Sequence, residues 1–141
     1  MADSTPINLM VVNNTMQMYF KVFDMQPRQG IVDFNVTFSG YLSNYPTLIA
    51  DTDLVNGETI HIQYINPYTN QWEDTGVYAV TAQREIPDPS QPLGFRLENG
   101  HFQGEIGILK SWLLTDDIPS RTVQFRAHYE GNTSKGLLGC E

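Results

Sequence analysis

The sequence predicts an all-β fold, a single antiparallel β-sandwich, from three observations. Apolar and polar residues alternate with a period of two in several segments, turn-forming residues separate these segments, and no stretch shows a sustained helical period. Strands that alternate with turn signals about every eight to twelve residues are typical of sandwiches and small barrels. A jelly roll or a small barrel is therefore the alternative architecture.

Four segments alternate clearly and are predicted as strands. In residues 31–40, the apolar side chains share one face and Asp33, Asn35 and Thr37 share the other. Residues 15–23, 58–64 and 122–129 show the same pattern. The predicted inward positions of the four strands are Met16, Met18, Phe20 and Val22; Val32, Phe34, Val36 and Phe38; Ile60, Ile62 and Tyr64; and Val123, Phe125, Ala127 and Tyr129.

Weaker strand signals occupy residues 7–12, 76–83, 95–98 and 101–109. Asn99-Gly100 separates the last two, and this dipeptide favours a two-residue hairpin turn because both residues tolerate a positive φ. We therefore expect a hairpin there. Residues 108–114 could form one or two helical turns, and residues 86–92, with three prolines, are expected to form an extended surface loop.

A chain of 141 residues is expected to form one globular domain with its own core. Residues 31–141 are assigned to the sandwich. Residues 1–30 are assigned to the same globular domain, as an N-terminal strand pair or an arm. The only cysteine is Cys140, which excludes an internal disulfide.

The charge balance limits the classes of molecule that the chain can bind. Eight basic against sixteen acidic residues give a net charge of −8, which excludes a nucleic-acid partner because no basic groove follows the phosphates. The apolar run at residues 7–12 is interrupted by Asn8 and has no basic segment before it, so we expect neither a signal peptide nor a membrane span. Synthesis in the cytoplasm of the host cell is the corresponding expectation.

One resemblance rests on the segment Thr122-Val123-Gln124-Phe125-Arg126-Ala127-His128-Tyr129-Glu130-Gly131-Asn132. It resembles the last strand of bacterial-type immunoglobulin-like domains, in which an alternating apolar run ends in an aromatic residue followed by Gly-Asn or Gly-Asp. Residues 54–62 and 32–40 are similar to the turn-and-strand passage and the opening strand of such domains. The resemblance implies an immunoglobulin-like sandwich that serves as a binding or structural module on bacterial surfaces or phage virions.

Residues that could carry chemistry are few. Cys140 lies at an acidic end of the sequence, so it is interpreted as a free thiol on a docking or frayed tail. His61, His101 and His128 occupy polar positions of alternating strands and are expected to be half-exposed sheet residues. Glu98 and Glu105 flank the predicted hairpin and are a weak candidate pair for glycoside hydrolysis.

Asp51 and Asp53 are weak candidate cation ligands, because clustered carboxylates beside a turn suit a hard cation. The spacing does not match an EF-hand loop, and an exposed acidic turn is the favoured interpretation. No metal or cofactor is predicted.

Aromatic side chains in or beside loops are the best candidates for a binding site, because they stack on sugar rings or anchor protein interfaces. A further aromatic residue, Trp72, is expected to fill the core. The candidates are Tyr41, Tyr45, Tyr68 and Trp112.

Three functions remain. The favoured one is a non-enzymatic virion structural protein, a capsid decoration (cement) or tail accessory protein. Its expected partners are the major capsid protein or another virion protein, and copies of itself in a homo-oligomer. The alternative is a carbohydrate-binding or adhesion module that uses the loop aromatics. An enzyme is the least favoured, because no nucleophile, acid pair or metal set is convincing.

Overall fold

The computed structural model describes residues 5–8, 15–31, 33–108 and 120–141. These residues form two four-stranded antiparallel sheets, which confirms the predicted β-sandwich; the sheets do not close into a barrel. The strands are β1 (Tyr19–Gln26), β2 (Phe34–Ser43), β3 (Thr59–Asn66), β4 (Gln71–Val80), β5 (Ala82–Pro87), β6 (Phe95–Ile108), β7 (Phe125–Asn132) and β8 (Leu137–Cys140). A 3-10 turn, Asp53–Val55, precedes β3.

The first sheet has the strand order β1-β2-β6-β5, and the second has the order β4-β3-β7-β8. The four edge strands are therefore β1, β5, β4 and β8.

The core lies between the two sheets and follows the predicted alternation. Val36 and Phe38 of β2 are buried, as are Ile60 and Ile62 of β3. The predicted inward positions of β3 and β7 are confirmed at Tyr64, Ala127 and Tyr129, which are also buried. Phe102, Ile106 and Ile108 of β6 complete the facing layer.

A β-bulge in β1 changes which residues face the core. Phe20 and Phe23 both pack against Phe102, with ring centroids 5.9 and 6.2 Å apart. Residues three apart lie on opposite faces of a regular strand, so the register shift between Lys21 and Asp24 is needed to turn both rings inward. The prediction that Val22 faces the core is therefore wrong: Val22 has φ 52° and is 71% exposed.

The predicted hairpin at Asn99-Gly100 is also wrong. Both residues lie inside the single strand β6, where the pairing with β5 shifts by one residue to form a bulge. Gly100 has φ +77°, so the sequence signal for a positive φ is correct, but the chain continues in the same direction. The Gly100 N–H donates to the Asn56 side-chain carbonyl at 2.7 Å, a contact between residues 44 positions apart.

Thr81 forms the corner at which the chain passes from β4 in one sheet to β5 in the other. Its hydroxyl donates to the Val55 carbonyl at 2.5 Å and accepts from the Glu58 N–H at 2.9 Å. Its backbone N–H donates to the Glu58 carbonyl at 2.8 Å. One buried residue thereby joins the strand corner to the turn before β3.

Met16 and β1 attach the N-terminal part of the chain to both sheets of the sandwich. β1 pairs with β2 in the first sheet, and Met16 forms a parallel bridge to Leu137 in the second. Residues 5–8 contain no strand and Ile7 is exposed. The rest of the predicted strand at residues 7–12 and the predicted helical turns after Ile108 lie outside the described residues. Within the described residues, no helix is long and apolar enough to cross a membrane.

Candidate functional site

The outer face of the second sheet concentrates aromatic, histidine and arginine side chains. Alternation turns Ile60, Ile62 and Ala127 into the core, so the residues between them point outward. Register then places outward residues of β4, β3 and β7 side by side. We define this outer face by His61, Gln63, Trp72, Asp74, Tyr78, Arg126 and His128.

Arg126 connects the residues of the outer face. Its guanidinium lies over the Trp72 ring, 4.1 Å from the centroid, and its Nε donates to the Gln63 side chain at 2.8 Å. Its Nη1 forms an ion pair with Glu141 at 2.6 Å. Trp72 is half-buried beneath this guanidinium and is not part of the core, so the prediction that it fills the core is wrong.

Two histidines form a directly opposed cross-strand pair on the same face, His61 of β3 and His128 of β7. His61 Nδ1 lies 3.3 Å from an Asp74 carboxylate oxygen, and His128 Nε2 lies 3.1 Å from Glu130. His128 Nδ1 lies 3.2 Å from Glu141 without the geometry of a hydrogen bond. Both rings are half-buried sheet residues, as predicted, and each lies beside carboxylates.

A shallow, open depression of about 410 Å³ borders this face between β7 and β8. It contains Cys140, which is a free thiol as predicted. Of the two predicted settings, a docking or a frayed tail, the frayed tail is wrong, because Cys140 lies in β8 opposite Tyr129. Burial, and then the neighbouring Glu141 carboxylate, raise the pKa of the Cys140 thiol to about 12. A thiol with this pKa is almost entirely protonated at neutral pH and is a weak nucleophile.

Edge strand β4 exposes two large apolar side chains on the outer face. Tyr78 is 62% exposed and Val80 is 54% exposed. They are two residues apart and so point in the same direction. Single exposed apolar residues are common on protein surfaces, but an adjacent pair on an edge strand is a candidate contact surface.

Tyr41, a predicted binding residue, lies in β2 and is buried. Its ring packs at a centroid distance of 5.1 Å against His101, the Arg84 guanidinium lies 5.1 Å from its centroid, and its hydroxyl donates to Glu98 at 2.6 Å. Burial, and then the Glu98 hydrogen bond, raise the pKa of Tyr41. These contacts make Tyr41 a packing residue of the first sheet.

Tyr45 and Asp51 bind each other at one end of the sandwich. The Tyr45 hydroxyl donates to Asp51 at 2.6 Å, and the Asn44 amide donates to the other Asp51 oxygen at 2.9 Å. These two hydrogen bonds lower the pKa of Asp51. Asp51 and Asp53 both remain exposed beside the 3-10 turn, and the described residues contain no cluster of three or more side chains suited to a metal ion.

Tyr68 lies in the β3–β4 turn and is 52% exposed, with the Arg121 guanidinium 5.1 Å from its centroid. Asp51 and Tyr45 lie near the start of β3, so the eight residues of that strand separate them from Tyr68 by about 25 Å. Tyr45 and Tyr68 are therefore not part of one binding surface. Trp112, the fourth predicted binding residue, lies outside the described residues.

The candidate glycosidase pair is not brought together. Glu98 and Glu105 lie on one strand, β6, seven residues apart. This spacing separates them by roughly 20 Å, more than twice the distance between the two carboxyl groups of a glycosidase. Their proposed pairing depended on the hairpin that the structure replaces with a bulge.

Glu58 ends the acidic turn at residues 51–58 that the sequence predicts to be exposed, but its carboxylate is buried. It accepts hydrogen bonds from the Tyr129 hydroxyl at 2.6 Å, the Asn132 amide at 3.0 Å and the Lys135 ammonium at 2.9 Å. Burial alone raises the pKa of Glu58, but these hydrogen bonds and the Lys135 charge outweigh it and hold the pKa below 4.5. Its partners lie more than seventy residues away in sequence, so no local pattern marks it.

No family model, characterised protein or solved structure matches the chain.

Proposed function

We propose that this protein is a non-enzymatic structural module that binds neighbouring protein subunits in a virion, as a capsid decoration (cement) or tail accessory protein. The observation that carries the proposal is the composition of the outer face of the second sheet. Trp, Tyr and Arg are the residues that most often dominate protein interfaces. Here Trp72, Tyr78 and Arg126 share one face of a single sheet.

The internal contacts of this face also suit docking. Arg126 is held by Trp72, Gln63 and Glu141, so its side chain is already ordered before a partner arrives. Binding then costs less conformational entropy than it would with a free arginine. The virion assignment is supported by the resemblance of residues 122–132 to immunoglobulin-like domains of phage virions and bacterial surfaces.

Co-sedimentation with empty shells tests the proposal. Shells assembled from the major capsid protein encoded in the same genome should retain the purified chain at a saturable stoichiometry. Trp72→Ala should weaken this binding by about thirtyfold or more, since truncating a tryptophan that dominates an interface costs about 2 kcal/mol or more. Leu93→Ala is the matched control, because Leu93 is exposed and lies in the loop between β5 and β6.

Two results would contradict the proposal. One is that the purified chain does not co-sediment with these shells. The other is retention on immobilised glycans that Tyr68→Ala abolishes without lowering the melting temperature. The second result would favour the carbohydrate-binding alternative, since Tyr68 is an exposed loop aromatic.

A further inference from the structure

The free edge of β4 differs from the other sheet edges of the described chain. β1 carries a bulge at Val22 between two charged residues, and β5 carries Arg84, Glu85 and Pro87. Bulges, charges and proline are the features that keep sheet edges from pairing with other chains. At β8, Met16 accepts from the Leu138 N–H at 3.0 Å and donates to the Gly136 carbonyl at 2.7 Å, so that edge is covered at residues 136–138.

The second half of β4, Val77–Val80, contains no charge and no proline. A bulge at residues 75–77 lies at its start and separates it from Glu73 and Asp74, whereas residues 78–80 pair regularly with β3. We call these four residues the β4 edge. Within the described residues, β4 pairs with β3 alone.

The direction of the backbone groups on the β4 edge follows from the register. The Thr81 N–H donates to the Glu58 carbonyl, so Thr81 faces β3. Successive residues of a strand alternate in direction, so Ala79 also directs its N–H and C=O toward β3. Tyr78 and Val80 therefore direct theirs away from the sheet, which leaves two donors and two acceptors at the edge.

We propose that the β4 edge pairs with the β4 edge of a second copy of this chain, antiparallel about a two-fold axis at Ala79. This inference deepens the proposed function, on which it rests, by naming one neighbour and the surface it uses. Tyr78 lies opposite Val80 of the second copy, and the symmetric pair repeats the contact. All four outward backbone groups then form hydrogen bonds, and the two exposed apolar side chains meet on the outer face.

The β4 edge is complementary to itself about this axis, which favours a second copy as the occupant. A chain with net charge −8 repels its own copies, so a contact between copies needs an uncharged segment. The β4 edge is such a segment, with Asp74 before it and Arg84 beyond it. The two-fold axis brings Asp74 of one copy toward the end of the other that carries Arg84 and Glu85. The Arg84 side chain is 43% exposed and also lies 3.6 Å from Glu98.

The pairing is expected to be weak in dilute solution. Four residues a side form a contact at the small end of specific interfaces, which corresponds to a dissociation constant of the order of 0.1 mM. Salt should strengthen it, because about 0.5 M NaCl screens the repulsion between the two acidic copies. On a virion, many such contacts act together and the effective concentration is high.

Sedimentation equilibrium measures dimerisation at up to about 1 mM protein, at low salt and at about 0.5 M NaCl. Variants that place charges of either sign at residues 78 and 80 test the proposed pairing. Y78K/V80K places lysine opposite lysine in the dimer and should weaken it at least about tenfold. Y78E/V80E should do the same. An equimolar mixture of the two variants should form a heterodimer, because each lysine then faces a glutamate.

The control L97K/L138K adds the same two charges at exposed leucines of β6 and β8, and should dimerise within about twofold of the unaltered chain. The proposal is overturned by an unaltered chain that stays monomeric at about 1 mM in high salt, by lysine variants that dimerise normally, or by a mixture that does not associate. A monomer that still binds capsid shells would overturn the self-pairing and leave the proposed function standing. A chain that dimerises but does not bind shells would overturn the proposed function and leave the self-pairing standing.

Discussion

Glu58 is the side chain whose replacement gives the most quantitative test of the fold. In Glu58→Ala, the Tyr129 hydroxyl, which lies in the core, loses its acceptor; an unsatisfied buried donor costs about 1–3 kcal/mol. Lys135 loses its ion pair but keeps the Leu54 and Asn56 carbonyls and is partly exposed, so its contribution is about 1 kcal/mol. The free energy of unfolding should therefore fall by about 2–4 kcal/mol.

The same residue makes stability depend on pH. The pKa of Glu58 is lower in the folded chain than in the unfolded one, so its contribution is fully present above about pH 4.5. It is lost as the pH falls through the folded pKa, below 4.5. Glu58→Gln cannot ionise, so the difference in stability between the unaltered chain and this variant should shrink as the pH is lowered from 6 toward 3.

Urea unfolding followed by far-UV circular dichroism at several pH values measures both effects. Glu105→Ala is the control, because Glu105 is exposed on β6 and its loss should change the free energy of unfolding by less than about 0.5 kcal/mol. The reasoning is refuted if Glu58→Ala lies within about 0.5 kcal/mol of the unaltered chain at pH 7. It is also refuted if the difference between the unaltered chain and Glu58→Gln is the same at all pH values.

Three further outcomes follow from particular backbone and side-chain environments. Gly100→Ala should lower the free energy of unfolding by about 2–5 kcal/mol, because alanine is strained at φ +77° and its Cβ would collide with the Leu42 carbonyl oxygen. An unchanged midpoint in urea unfolding would contradict this and show that the β6 bulge can relax. Val22→Gly should stabilise the chain by about 1 kcal/mol, because it removes the backbone strain of a β-branched residue at φ 52° and loses little buried surface. A lower melting temperature would contradict this. Iodoacetamide at pH 8 should label Cys140 at least about tenfold faster in urea than in the native chain, because burial raises the pKa of the native thiol to about 12. Equal labelling rates would show that the Cys140 thiol is not buried in the native chain.

Local patterns predicted the parts of the fold in which one face of a strand is buried. The period of two in β2, β3 and β7 was sufficient to assign their core residues, because each strand has a polar outer face. The bulges in β1 and β6 were not predicted. At β1, two phenylalanines three residues apart gain more from packing on Phe102 than the regular alternation would give Val22.

The candidate site was less accessible to sequence reasoning, because its contacts join distant segments. Asn99-Gly100 correctly indicated a positive φ, but the choice between a hairpin and a bulge depends on Asn56, which approaches from another loop. Arg126 and Trp72 occupy outward positions of two strands separated by β3, so only the sheet order brings them together. Outward aromatic and arginine residues on alternating strands were the one signal that could have indicated this face.

The central claim is that the β4 edge pairs with a second copy, and amide hydrogen exchange measures it residue by residue. In dilute protein, the N–H groups of Tyr78 and Val80 should exchange quickly because they point to solvent, whereas the Ala79 N–H should be protected by β3. At about 1 mM protein and 0.5 M NaCl, exchange at Tyr78 and Val80 should slow several-fold while exchange at Ala79 changes little. Exchange rates at Tyr78 and Val80 that do not depend on protein concentration would contradict the claim.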